Sequence, residues 1–291
     1  MQPTFFINHG GGPCFFLEPG PLRESWRELE NYLRTFSEKT AGLPRAILMV
    51  SGHWVESRPT VNVGAAPPLL FDYEGFPDYT YRLTWPAPGS PELAARVQGL
   101  LDDAGIANEH DAKRGWDHGV FVPMKVMYPN ADIPLVQLSL QRGLRPETHL
   151  AIGRALRPLR DEGVLIVGSG QSYHNIRGLF SGGRRDDAAQ AFDDWLRSTM
   201  LDAGTRDRNL AGWAQAPGAR HAQPYEDHLL PLMVAAGAAS GDPASLDFSR
   251  LRTGQADFRL PLRLTPSWRL SCPSFSSLKP VRVGSSPSRG R

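Results

Sequence analysis

The sequence predicts an α/β fold, a single domain with a largely parallel central sheet flanked by helices, and three observations carry that expectation. Short, continuously apolar segments recur: Phe5-Phe6-Ile7, Ile47-Leu48-Met49-Val50 and Val164-Leu165-Ile166-Val167. Unbroken runs of this kind belong to strands covered on both faces, as in parallel sheets. Segments with a helical apolar period lie between them, the alternation of a βα chain. Each run also leads into a histidine: His9 in Asn8-His9-Gly10, His53 in Ser51-Gly52-His53, and His174 at the end of Ser169-Gly170-Gln171-Ser172-Tyr173-His174. Open α/β sheets bind ligands outside the carboxyl ends of their strands, so imidazoles at that address can meet although far apart in sequence. The pattern points to a metal site at the C-terminal ends of the strands.

In chain order, Leu22, Trp26, Leu29, Leu33 and Phe36 fall at spacings of four, three, four and three, which predicts one amphipathic helix. Residues 56–91 are rich in Pro, Gly and aromatic side chains without a helical period, and predict an irregular, functional excursion with short strands, one of them over residues 69–77. Ser90-Pro91 supplies an N-cap and a first-turn proline for a helix through Ala94, Val97, Leu100 and Leu101 that Gly105 stops. A strand is expected over Ile133–Leu140, then a helix over residues 147–161 disturbed near its end by Pro158. Ala188, Phe192, Trp195, Leu196 and Thr199 mark another helix, closing at Gly204. Pro224–Leu232 is expected to open a last helix, with Glu226 and Asp227 favoured in its first turn by the helix dipole.

The formal charge of +2 over 291 residues argues against a nucleic-acid-binding face, but it is unevenly spread. Residues 249–291 hold nine Lys or Arg against the single acid Asp257, leaving 23 basic and 29 acidic groups in residues 1–248. The division suggests a main domain over 1–248 and a basic Ser/Pro/Arg-rich tail over 249–291, partly disordered or atypical. Two cysteines, Cys14 and Cys272, provide no disulfide framework, which suits the cytoplasm. No apolar run approaches the roughly 20 residues of a membrane span, and the N-terminal segment lacks the basic flank of a signal peptide.

Eight histidines occur, and His110, His149 and His221 read as ordinary polar or core side chains. His9, His53 and His174 share one topological address and have small neighbours. His228 can reach the same crevice, with Glu226 and Asp227 as carboxylate alternatives. Asp117-His118 resembles an acid–imidazole pair in which a carboxylate orients a general acid or base. Neutral imidazole is the commonest side-chain ligand of zinc and non-haem iron, and three or four such ligands with an open position suit catalysis. Gly10-Gly11-Gly12-Pro13 lacks the Lys of a phosphate-binding loop, and Ser169 does not sit in a hydrolase elbow. The aromatic residues between Phe71 and Tyr81 can pack together or stack on a flat ring.

Seven ordered motifs carry a resemblance. They are Asn8-His9-Gly10-Gly11-Gly12-Pro13, Ser51-Gly52-His53-Trp54, Asp72–Pro77, Tyr81 with Trp85–Pro91, Trp116-Asp117-His118-Gly119, Gly168-Ser169-Gly170 with His174-Asn175, and Glu226–Leu232. Over residues 4–240 the chain resembles the class III extradiol ring-cleaving dioxygenases, in the branch of the 4,5-DOPA dioxygenases. The resemblance implies an extradiol dioxygenase-like catalytic domain with a mixed central sheet and one divalent metal per chain, Fe(II) for ring cleavage or Zn(II). It implies His9, His53 and His228 as metal ligands, His174 as a further ligand or an acid/base, and His118 as a second acid/base or a substrate-contacting histidine. Gln223-Pro224 stands where many relatives have His-Pro, and the segment after residue 248 does not resemble the family's closing strand.

The implied partners are a small aromatic diol and O2, with no nucleic acid and no membrane, in a monomer or small homo-oligomer. A zinc-dependent metallohydrolase on the same histidines, or a non-catalytic metal-binding protein, are the rival expectations.

Overall fold

The three continuously apolar runs lie side by side in the middle of one sheet. A computed structural model describes residues 1–179, 186–248 and 262–264. Its strands are β1 (Thr4–Asn8), β2 (Ala46–Glu56), β3 (Thr60–Asn62), β4 (Glu109–Asp111), β5 (Leu135–Gln141), β6 (Val164–Gly170), β7 (Ala244–Leu246) and β8 (Leu262–Leu264), in the spatial order β4-β3-β5-β2-β6-β1-β8-β7. The central pairs β5/β2, β2/β6 and β6/β1 are parallel, whereas β3/β5, β1/β8 and β7/β8 are antiparallel. The expected single α/β domain with a mixed, largely parallel sheet is the fold found. Of the basic tail, the described residues form β8 beside β1, and the remainder of residues 249–291 lies outside the described residues.

Helices cover both faces. They are α1 (Pro21–Glu24), α2 (Arg27–Arg34), α3 (Pro91–Asp103), α4 (His118–Met127), α5 (Pro146–Leu156), α6 (Ile176–Leu179), α7 (Asp187–Leu201), α8 (Arg206–Ala211), α9 (Ala219–Ala222) and α10 (Leu230–Ala238). Because alternate strand residues point to opposite faces, Leu48, Val50 and Ile166 join the core under α3, α5, α7 and α10, while Phe5, Ile47, Met49 and Val167 join the core under α2 and α4. Among the described residues no helix is long and apolar enough to cross a membrane.

Several elements depart from their sequence pattern for identifiable reasons. The helix expected from Leu22 to Phe36 is three pieces, α1, α2 and a 3-10 turn at Phe36–Lys39, because Trp26 turns into the core over Gly11 while Leu22 remains exposed. Pro158 ends α5 early and converts Arg157–Arg160 to a 3-10 turn. Residues 70–77 are irregular, and Leu69 alone makes a bridge, to Trp116. The last helix begins at Leu230, so Glu226 and Asp227 lie in the turn before it and not in its first turn. Ser90 caps α3 as expected, accepting the Leu93 N–H.

Where α5 crosses α10 the backbones touch: a Cβ on Gly153 would meet the Val234 carbonyl, and one on Gly237 the Leu150 carbonyl. Either Gly→Ala change is expected to cost about 1–3 kcal/mol by overpacking, read as a lower urea midpoint; an unchanged midpoint would show that the helices part freely.

His149, fully buried on α5, is satisfied only when neutral. Its Nδ1–H donates to the Arg145 carbonyl at 2.7 Å and its Nε2 accepts the Gln141 N–H at 3.1 Å. Burial pushes its pKa down to about 4. The unfolded chain therefore takes up this proton first, so stability is full above about pH 6.5 and is lost as pH falls toward 4, by up to about 3 kcal/mol. His149→Gln should flatten the dependence of the urea midpoint on pH in that window, whatever its effect at pH 8.

Candidate metal centre

Four histidines arrive at the carboxyl edge of the sheet by different routes. His9 follows the last residue of β1. His53 lies within β2 and not past its end, but at a break in pairing: the ladder to β6 stops at Ser51 and that to β5 shifts register between Val50 and Val55. His174 stands four residues beyond β6. His228 comes from the turn before α10, which is pressed onto a glycine floor. A Cβ on Gly168 would strike the Pro231 carbonyl and one on Gly170 the His228 carbonyl, and Gln171 N–H donates to that same carbonyl at 2.9 Å.

These routes bring His9, His53 and His228 together. His53 Nε2 lies 3.2 Å from His9 Nε2 and 3.2 Å from His228 Nε2, and ligand atoms of all three fall within 4.8 Å of one another. The opposite nitrogen of each ring decides what those Nε2 atoms are. His228 Nδ1 is 3.0 Å from Asp227 Oδ1, and His53 Nδ1 faces Asp72 Oδ2 at 3.4 Å. Burial alone would raise both acids, but hydrogen bonds from His118 to Asp72 and from His228 to Asp227 hold them below the usual carboxylate value. Ionised carboxylates only accept, so both rings carry their proton on Nδ1.

For His9 the tautomer is set through a proline. Pro123 has no N–H to give the Gly119 carbonyl one turn back in α4, and the Ser169 hydroxyl donates to that carbonyl instead. Ser169 Oγ then has lone pairs for His9 Nδ1–H, 3.0 Å away. In neutral rings all three Nε2 atoms are thus lone pairs converging on one point. Burial first, then the neighbouring imidazoles, hold His9 and His53 well below the ordinary histidine pKa, so protonation does not relieve the repulsion. The donor set fits one divalent cation, with neutral nitrogen ligands whose far sides are anchored by acceptors.

His118 packs against His53, ring centroids 3.9 Å apart. Its carboxylate partner is Asp72, at 2.8 Å from Nδ1, and not the adjacent Asp117. Asp117 is buried below the site and accepts from Ser51, Arg114 and Gln137, with its pKa raised by burial and by the Asp72 charge. Asp72 therefore touches both His53 and His118, a role that no local sequence signal marks.

His174 stacks on His228 at 3.4 Å between centroids, with Nδ1 3.8 Å from Asp227. Burial and the His228 ring push its pKa down to about 3. Glu226 turns away to pair with Arg220 at 2.8 Å. Gln223 is buried and donates to the Gln171 carbonyl at 2.7 Å, supporting the backbone that holds His228. Phe71, Tyr73, Phe76 and Tyr81 pack on one another and on Phe121, with Tyr73 edge-on to His118 at 5.9 Å. Of the three histidines set aside, His110 is exposed on β4, His149 is in the core and His221 pairs with Asp186.

Comparison with known proteins agrees with this geometry. Residues 3–258 match the family described as the catalytic LigB subunit of aromatic ring-opening dioxygenase. The chain belongs to that family. It is 42% identical over 245 residues to a 4,5-DOPA dioxygenase extradiol of Beta vulgaris, covering 82% of this chain and 87% of that protein. A 4,5-DOPA dioxygenase extradiol of Escherichia coli is 33% identical, over 87% and 91% of the two chains, and the dioxygenase tasH of Hapsidospora irregularis 38%, over 82% and 78%. The crystal structure of an uncharacterised protein of Escherichia coli K12 superposes with a TM-score of 0.71 at 30% identity, covering 91% of this chain and all of the other.

As a ring-opening dioxygenase of this family the chain is a metal-dependent enzyme, and of the three donor groups among its described residues, His9/His53/His228, His53/Asp72/His118 and His174/Asp227/His228, the first consists of histidines alone. Asp72→Ala frees the His53 ring to take the other tautomer. Affinity for Co(II), measured against a competing chelator, is expected to fall about 10- to 100-fold; affinity within twofold of wild type would refute the carboxylate's part in orienting the ring.

Proposed function

We propose that this dioxygenase opens the ring of a DOPA-like catechol with O2 to a semialdehyde, using one Fe(II) held by His9, His53 and His228. The convergence of three bare Nε2 lone pairs carries the reading. The relatives named as 4,5-DOPA dioxygenases support the substrate class. Bound iron(II) would supply the one-electron chemistry that links a catechol to O2, which zinc does not.

The chain's own groups handle protons and position. His118 is held with Nδ1–H on Asp72, so its Nε2 lone pair is available to take a diol proton. His174, largely neutral near pH 7, serves as the second acid/base in preference to a fourth ligand, since its ring lies stacked flat on that of His228 and its own ligand group is with Asp227 and His228, apart from His9 and His53. Buried Trp116, Phe121 and Tyr73 exclude water behind His118. We place the reaction in the cytoplasm, which suits a buried free Cys14.

The test is anaerobic loading of the apoprotein with Fe(II), followed by L-DOPA and O2. A yellow ring-opened product should form, be lost in His9→Ala, His53→Ala and His228→Ala, and be absent from zinc-loaded protein. His118→Ala should lower kcat by about 10²–10⁴ while metal content is kept. Absence of turnover with any catechol, or oxygen-independent hydrolysis requiring zinc, would replace this assignment.

A further inference from the structure

Beyond His174 the chain forms a cavity of about 770 Å³, lined by His174, Asn175, Ile176, Arg177, His221 and Tyr225 among others. Its wall is unusual in two respects. Ile176 and Tyr225, 51% and 75% exposed, are two of the five exposed large apolar side chains among the described residues. Such surface left open beside a deep reactive centre suits an organic ligand.

The second feature is charge. Around the cavity His221 is paired with Asp186 at 2.6 Å, Glu226 with Arg220 at 2.8 Å, and Asp227 with His228 at 3.0 Å. Arg177 lines the same space and has no carboxylate partner among the described residues. Its backbone is nevertheless fixed: Asn175 Oδ1 accepts the Gly178 N–H at 2.9 Å, and Asn175 Nδ2 donates to the His221 carbonyl at 2.9 Å. An unpaired guanidinium on a pinned turn, three residues after the proposed acid/base, is set to accept a carboxylate through its donor fork.

We propose that Arg177 is a specificity-determining residue: it binds the carboxylate on the side arm of a catechol whose ring faces the histidine cluster, with Ile176 and Tyr225 flanking the arm. The assignment rests on the function proposed above. It predicts preference for catechols bearing an anionic arm over neutral ones of equal size.

Two measurements on the full chain separate the two readings. In the first, wild type and variants are titrated with 3-phenylpropanoate, which has the arm but no diol and needs no metal chelation. Arg177→Ala and Arg177→Gln should weaken binding about 10- to 100-fold, and Arg177→Lys by less. In the second, kcat/KM is compared for 3-(3,4-dihydroxyphenyl)propanoate and 4-ethylcatechol on Fe(II)-loaded protein. The acid-to-neutral ratio should fall by a similar factor in Arg177→Ala, and Arg177→Glu should shift preference toward dopamine. Arg177-dependent binding of 3-phenylpropanoate without cleavage of any catechol would keep the subsite and overturn the function. Equal binding in wild type and Arg177→Ala, or an unchanged acid-to-neutral ratio, would overturn the subsite.

Discussion

Three imidazole nitrogens, with His53 Nε2 3.2 Å from each of the other two, repel one another as lone pairs unless a cation shares them. Protonating His9 or His53 offers no escape, because burial disfavours the charge, and flipping tautomers offers none, because Asp72, Asp227 and Ser169 occupy the opposite nitrogens. The repulsion is therefore built into the folded backbone. It persists because packing elsewhere holds it, as strain at functional sites generally does.

That packing is specific. The glycines of β6 let the turn carrying His228 approach until carbonyl and strand backbone touch, and the parallel pairing of β6 with both β1 and β2 sets the relative heights of His9 and Ser51. Pro123 adds a less direct constraint. By withholding one N–H from α4 it redirects the Ser169 hydroxyl, and the hydroxyl in turn sets the His9 tautomer. A missing N–H in a buried helix thus orients the His9 ring through a serine on a neighbouring strand.

The legible part of this architecture is the part written in local patterns. Unbroken apolar runs announced β1, β2 and β6, and a serine–proline pair announced α3, because burial on both faces and helix capping act within a few residues. The helix at His118–Met127 left no period to read, since every residue in it except Lys125 is buried. The sequence points His118 to adjacent Asp117 for a related reason: Asp72 arrives from a loop 46 residues away, and the motif Asp72–Pro77 marks its segment without telling which ring its acid meets. Histidines at strand ends could be found because topology gives them an address; Asp72 and Arg177 have none.

The two acids beside the cluster also divide its labour. Asp72, brought by the excursion between β3 and α3, joins His53 to His118. Asp227 does the same on the opposite side for His228 and His174. Each carboxylate serves two imidazoles, so a change at either acid disturbs two rings at once. The long irregular excursion between β3 and α3 thus carries one of the two acids that meet the cluster, as long loops in compact folds often carry functional side chains.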